Sequence, residues 1–221
     1  LRGGEPLPAA DEPEQLSRRA RAAAACALWA EARPIAGSLS ERHCRGRGLA
    51  GPWPAALRHH PALAAEAYSG RGPRRPALLA AIHDRDGELV GIEITYLAAE
   101  GGRARMWLPR KTVGLAPAGS AVRLAEAGSR LLVGEGVFTT LSAAARFGWP
   151  AWALLSTRNL RAWRPPPGVR QVLVAGDRGR DGERSARILA AALSAAGIHG
   201  SLRFPPAPFG DWNDAGVAAA A

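Results

Sequence analysis

The sequence predicts an α/β C-terminal domain, with a parallel sheet and helices on both faces, preceded by a smaller α+β domain. Three observations support this. From Arg130 onward, apolar runs alternate with helix-like segments. Those runs, "RLLVGEG", "PAWALLS" and "QVLVAGD", are continuously apolar, as strands buried on both faces are. Upstream, "PALLAAIHDRDGELVGIEITYL" places two apolar, β-branched runs around Asp86-Gly87, a strong hairpin signal. The rhythm changes in "AEAGSR", which sets an N-terminal region at 1–127 and a C-terminal domain at 128–221.

The elements follow in order. Residues 1–10 are Gly/Pro-rich and expected to be disordered. Asp11 and Glu14 have capping-box spacing, and Pro13 suits a first helical turn. An alanine-rich helix should run from there to Ala32 and stop at Pro34. Ser38 and Glu41 form a second capping pair, opening the short basic helix "LSERHCRGRG". "GPWPAALRHHPAL" is broken by prolines and reads as loop and short strand. "ARMWLPRKTVG" and "AVRLAE" should add short strands to the hairpin's sheet. In the C-terminal half, "VFTTLSAAARFG" is a helix ended by Gly148 and "TRNLRAW" a short helix or turn. "PPPG" is a loop, "DGERSARILAAALSAAG" a helix and "HGSLRF" a fourth strand.

The chain has 221 residues, 47% of them hydrophobic, enough to build a core and too many for global disorder. The net charge of +10 favours polyanionic partners such as nucleic acid. Lys111 is the only lysine among 29 basic residues, a bias that a GC-rich coding sequence also explains. Cys26 and Cys44 form no CxxC, so neither a zinc ribbon nor a redox motif is encoded, and a reduced, cytoplasmic setting is expected. No apolar run reaches the roughly 18 residues of a membrane span. "RRARAAAACALWA" lacks the apolar stretch of a signal peptide and follows the acidic "DEPE". A start at Leu1 instead of Met suits a fragment or an alternative start codon, with room for an upstream domain.

In parallel sheets ligands bind beyond the carboxyl ends of the strands. That rule selects Glu135, after the first strand, and Asp177, after the third, with Asp181 close behind. Converging carboxylates repel, so one should hold a proton unless a cation relieves them. Mg²⁺, or Mn²⁺ in its place, suits hard oxygen ligands and phosphate. Arg178, Arg180 and Arg184 are placed to meet a phosphate. Simpler roles compete: Asp177 as a strand-end cap and Asp181 as the N-cap of the next helix. Glu135, isolated between two glycines, has little structural purpose. "GEGVFT" lacks the third glycine of a dinucleotide fingerprint.

"LLVGEGVFTTLSA", "AWALLSTRNL", "VLVAGDRGRDGERSA" and "FGDWND" together resemble a Toprim domain over about residues 128–218, most closely the Toprim modules of phage- and plasmid-type, DnaG-like primases. "ARPIAGSLSERHCRGRGL" resembles, more loosely, the helical element that precedes Toprim in such proteins, with His43 where Tyr is usual. The resemblance implies that Glu135 is the general acid/base and that Asp177 binds metal. The second Asp of the family's Asp-x-Asp falls on Gly179, and Asp181 is its candidate substitute. Asp214, with Asp211, corresponds to the closing acidic string; a capped turn explains it equally well. In a primase-like reaction the 3′-hydroxyl of a growing strand attacks the α-phosphate of a nucleotide. Arg158, Arg161, Arg178, Arg180 and Arg184 would grip the DNA backbone, and Trp163 and Trp212 would stack on bases, with Trp152 more suited to the core. The sequence carries no zinc ribbon and no P-loop, so a zinc-binding domain or helicase would be a separate partner. Two alternatives share these residues: a non-catalytic nucleic-acid-binding module disabled at Gly179, and a Toprim nuclease.

Overall fold

A computed structural model describes residues 16–220; the start of the chain and the Asp11–Glu14 pair lie outside the described residues. Helix α1 runs over Arg18–Ala30, and Ser17 caps it by accepting the Ala20 N–H at 3.1 Å. Within the described residues, Ser17 therefore does the capping expected of Asp11. Helix α2, Leu39–Gly46, starts as expected: the Ser38 hydroxyl accepts the Ser40 and Glu41 N–H groups.

The N-terminal sheet is an antiparallel meander in the order β1 (Arg33–Pro34), β2 (Leu57–Glu66), β3 (Arg71–His83), β4 (Leu89–Tyr96) and β5 (Arg110–Gly114). β2 is a ten-residue strand, not the loop and short strand expected from its prolines. The register slips between His60 and Leu63, so Pro61, which has no N–H to donate, sits in a bulge instead of breaking the strand. Alternation along β3 gives the sheet two buried faces. Ala77 and Leu79 join Ile92, Ile94 and Val113 under α1, while Leu78, Ala80 and Ile82 face the rest of the molecule. The alanines of α1 have a packing reason. A Cβ on Gly114 would lie 2.8 Å from the Ala25 Cβ, so helix and sheet approach too closely for larger side chains.

The second sheet has the order β10-β9-β7-β8-β6. Its strands are β6 (Val122–Arg123), β7 (Arg130–Gly134), β8 (Ala151–Ala153), β9 (Gln171–Ala175) and β10 (His199–Arg203). All pairs are parallel except β6 with β8. The helices are α3 (Val137–Phe147), α4 (Thr157–Ala162), α5 (Arg180–Ala195) and α6 (Trp212–Ala220). Leu131, Val133, Val172 and Val174 pack with Leu160 of α4 and Leu189 and Leu193 of α5. Leu132, Leu173 and Ala175 pack with Ala143 of α3 and Trp212 of α6. Helices therefore cover both faces, which is why these strands are apolar throughout.

β6 departs from expectation: it joins the second sheet instead of extending the hairpin's sheet. Arg123 accounts for this, since its guanidinium lies 4.6 Å from the Trp152 ring while Nη2 donates to the Asp84 carbonyl at 2.7 Å. Just before it, Ala121 exchanges two backbone hydrogen bonds with His83 of β3, both 2.9 Å, and so ties the two sheets. A shared cluster of Leu78, Ala80, Ile82, Val122, Val137 and Ala153 fills the space between them.

Leu131 is fully buried on the central strand β7. Leu131→Ala should destabilise the protein by about 2–5 kcal/mol, read as a lower urea midpoint.

Candidate carboxylate site

β7 and β9 run side by side with Gly134 opposite Ala175, so both deliver a carboxylate to one edge of the sheet: Glu135 directly and Asp177 after Gly176. Two glycines let the surroundings close tightly here. A Cβ on Gly176 would come 2.5 Å from the Phe204 ring, and one on Gly182 would come 2.7 Å from the Asp177 carbonyl oxygen. Helix α5 thus begins directly on the backbone of Asp177.

Asp177 is half-buried, and its Oδ1 is shut away from solvent with no hydrogen-bond partner. Burial first, then the charges of Glu135 and Asp211, push its carboxyl up to about 7. Burial also raises Glu135, helped by the charge of Asp181 and opposed by Arg110, the Thr157 N–H and Arg161. Asp181 behaves differently. It is exposed, pairs with Arg161 Nη1 at 2.8 Å, and lies below the usual carboxylate range because of the Thr157 side chain and Arg161. Asp211 caps α6, accepting the Asp214 N–H at 2.8 Å. Asp214 is exposed in the first turn of α6.

Asp177 thus sits in the field of both Glu135 and Asp211. Asp181 faces Glu135 but is engaged by Arg161. Among the described residues, no three His, Cys, Asp or Glu side chains are gathered into a preformed cation cage.

Three contributors were not legible in the sequence. Thr157, the first residue of α4, lies against both Glu135 and Asp181. Arg110 reaches the site from β5 of the other sheet. Leu155 has φ of 70°, the one non-glycine residue in the left-handed region among those described, and its N–H donates to the Glu135 carbonyl at 2.7 Å. That strained backbone fixes the peptide carrying Glu135. The Ser156 cap was a weak pointer to Thr157; the other two carried no local signal.

Residues 130–221 match a family model described as a Toprim domain. The C-terminal half is a Toprim domain. Residues 19–124 match a second model, described as a domain of unknown function, DUF7146. No curated protein matches the chain at a significant level. Solved structures do. The primase fragment of the bacteriophage T7 primase-helicase is 14% identical, with a TM-score of 0.53 over 81% of this chain and 66% of its own. The zinc-binding and RNA polymerase domains of the Aquifex aeolicus primase are 13% identical, with a TM-score of 0.58 over 91% and 58%. A DnaG primase catalytic domain bound to single-stranded DNA is 16% identical, with a TM-score of 0.57 over 89% and 76%. At these identities the likeness is one of fold. The chain spans slightly under two thirds of the T7 fragment and 58% of the Aquifex structure.

Gly179, where the resemblance expects a second Asp, caps α5 with φ of 106°. A side chain there would meet nothing within 4 Å, but its backbone would be strained. The arginines divide into two groups. Arg161 holds Asp181 and donates to the Ser185 hydroxyl at 3.1 Å, and Arg178 Nε donates to the Pro205 carbonyl at 3.0 Å. Arg158, Arg180 and Arg184 are exposed along the edge formed by α4 and the start of α5. Trp163 and Trp212, expected to stack on bases, do not face solvent, and Trp152 lies in the core as expected. Trp152, Trp163 and Trp212 are buried, Trp163 edge-on to Trp152 and Trp212 edge-on to Phe147. Their area is spent on the core.

Two predictions follow from this geometry. A carboxyl raised from 3.8 to about 7 leaves the folded state holding a proton that the unfolded chain has lost, so stability falls as pH rises across that window. Asp177→Asn should therefore raise Tm at pH 8 by about 2–8 °C and leave it nearly unchanged at pH 4, measured by calorimetric scans. Gly179→Asp should cost about 1–3 kcal/mol in urea unfolding, so restoring the family carboxylate requires a backbone change as well.

Proposed function

We propose that this chain is a primase-like Toprim enzyme carrying out Mg²⁺-dependent nucleotidyl transfer on DNA. The carrying observation is Asp177: a half-buried carboxylate with one buried, orphaned oxygen, raised to about 7 by burial and by the charges of Glu135 and Asp211. Such a desolvated oxygen set disfavours charge unless a cation shares it. It fits Mg²⁺, which takes one or two carboxylates and completes its shell with water and phosphate oxygens. Asp177 would hold the ion, with Glu135 beside it. Asp181 and Asp214 are further candidates, Asp181 only after releasing Arg161. Bound Mg²⁺, or Mn²⁺, would neutralise phosphate charge as the α-phosphate is attacked and its bond to the departing pyrophosphate breaks.

The chain's own groups supply the rest. Glu135, with raised proton affinity and its carbonyl fixed by Leu155, is suited to take the proton of an attacking 3′-hydroxyl. Arg158, Arg180 and Arg184 would grip backbone phosphates, weakening steeply with salt. Arg161 and Arg178, already bonded within the domain, would act mainly by positioning Asp181 and the 204–210 loop. The T7 protein's primase is joined to a helicase and the Aquifex primase to a zinc-binding domain, so this chain would work with such partners, in a reducing cytoplasm that keeps Cys26 and Cys44 as free thiols. Among the described residues no helix is long and apolar enough to cross a membrane.

Gly179 favours a second reading, a DNA-binding module without turnover. A Toprim nuclease would share the same residues and differ in product. Primer synthesis on a single-stranded template with Mg²⁺ separates the three. The enzyme reading expects ribonucleotide or deoxynucleotide extension, reduced at least about 100-fold in Glu135→Gln and Asp177→Asn with folding intact. Binding without synthesis or cleavage would establish the module, and strand cleavage the nuclease. Calorimetric Mg²⁺ affinity should rise between pH 6 and pH 8 as Asp177 ionises, and be lost in Asp177→Asn.

A further inference from the structure

Six of the seven tryptophans pack against an arginine or another ring within the fold. Trp29, Trp53, Trp149, Trp152 and Trp212 each lie under an arginine, from Arg58, Arg45, Arg130, Arg123 and Arg146 respectively, and Trp163 packs against Trp152. Trp107 is the exception. It is 94% exposed, and Leu108 beside it is 55% exposed. Leaving an indole in water forgoes one of the largest burial gains a side chain offers.

The backbone around Trp107 is an organised arch. The Ala104 N–H donates to the Tyr96 carbonyl at 2.9 Å, and the Tyr96 N–H donates to the Pro109 carbonyl at 2.8 Å. One fully buried residue therefore clips both ends of the segment 104–109. Met106 turns inward against the core under α1, and Trp107 turns out. The fold thus spends hydrogen bonds and a buried side chain on presenting an exposed ring.

The surroundings select the occupant. Residues 101–111 carry Arg103, Arg105, Arg110 and Lys111; Arg110 faces Glu93 at 3.9 Å and Lys111 donates to the Ala65 carbonyl, which leaves Arg103 and Arg105 as the cations flanking the ring in sequence. A flat exposed ring flanked by cations suits a base carried on a phosphate backbone. Any base has a π-face, and stacking is sequence-tolerant.

We infer that Trp107 is a stacking platform for an unpaired base of a single strand. The inference rests on the proposed action on DNA, but it does not require turnover.

The test is fluorescence anisotropy of labelled oligo-dT and of a duplex of equal length, in EDTA, with the parent protein, Trp107→Ala and Trp107→Phe. Trp107→Ala should bind oligo-dT about 5- to 150-fold more weakly. Trp107→Phe should recover most of this, with duplex affinity, salt slope and Tm unchanged because no phosphate contact or core packing is lost. Equal oligo-dT binding by the parent and Trp107→Ala would overturn the inference and leave the proposed function standing. An equal loss on single strand and duplex would also overturn it, since a stacked base is available only in the former. So would loss of binding to anionic phosphatidylglycerol vesicles with no loss on DNA, which would make the arch a membrane contact. No binding of either DNA by the parent at low salt would overturn both the inference and the proposed function.

Discussion

Between Arg130 opposite Gln171 and Gly134 opposite Ala175, β7 and β9 are held in parallel register along five residue pairs. Everything at the candidate site depends on that pairing. Parallel neighbours end on the same side, so Glu135 and Asp177 leave the sheet together and are desolvated together. A slip of one residue would turn alternate side chains to the opposite faces, moving Leu131 and Val133 out from under α4 and α5. The apolar faces that fix the register therefore also hold the two acids where burial raises both, with the charge of Glu135 raising Asp177 further. Core packing and site electrostatics have one cause.

Close approach is the second theme. Gly134, Gly176 and Gly182 occupy places where a Cβ would meet the Thr140 hydroxyl, the Phe204 ring or the Asp177 backbone at 2.5–2.7 Å. The arginine excess also has an internal use. Stacked on tryptophan faces and bonded to carbonyls, several arginines serve as packing elements. The net charge remains, so a polyanionic partner is still favoured, but the charge count alone overstates how many guanidinium groups are available to one.

The parallel sheet, its covering helices, the hairpin at Asp86-Gly87 and the capping of α2 by Ser38 were legible because each depends on a short stretch of chain. Glu135 and Asp177 were legible because strand ends in such a sheet have a common destination. Contributors from distant segments were not: Arg110 enters from another sheet, and the Arg161–Asp181 pair joins two helices separated by β9. Asp181 was foreseen as a ligand and lies paired, because sequence shows that a carboxylate is near an edge but not which cation reaches it first. Trp163 and Trp212 looked available for stacking only because aromatic residues between loops and helices carry no mark of burial. β2 hid behind Pro61, since a bulge needs no signal beyond the proline it accommodates.

β6 precedes the boundary at 127/128 that the change of rhythm suggested, yet it forms the outer strand of the second sheet and covers the free edge of β8. A chain cut at residue 128 would keep the four parallel strands and lose this cover. The N–H and C=O groups of Ala151–Ala153 would then face solvent as an open template for another chain, so an excised C-terminal half is exposed to edge-to-edge self-association that the intact chain avoids.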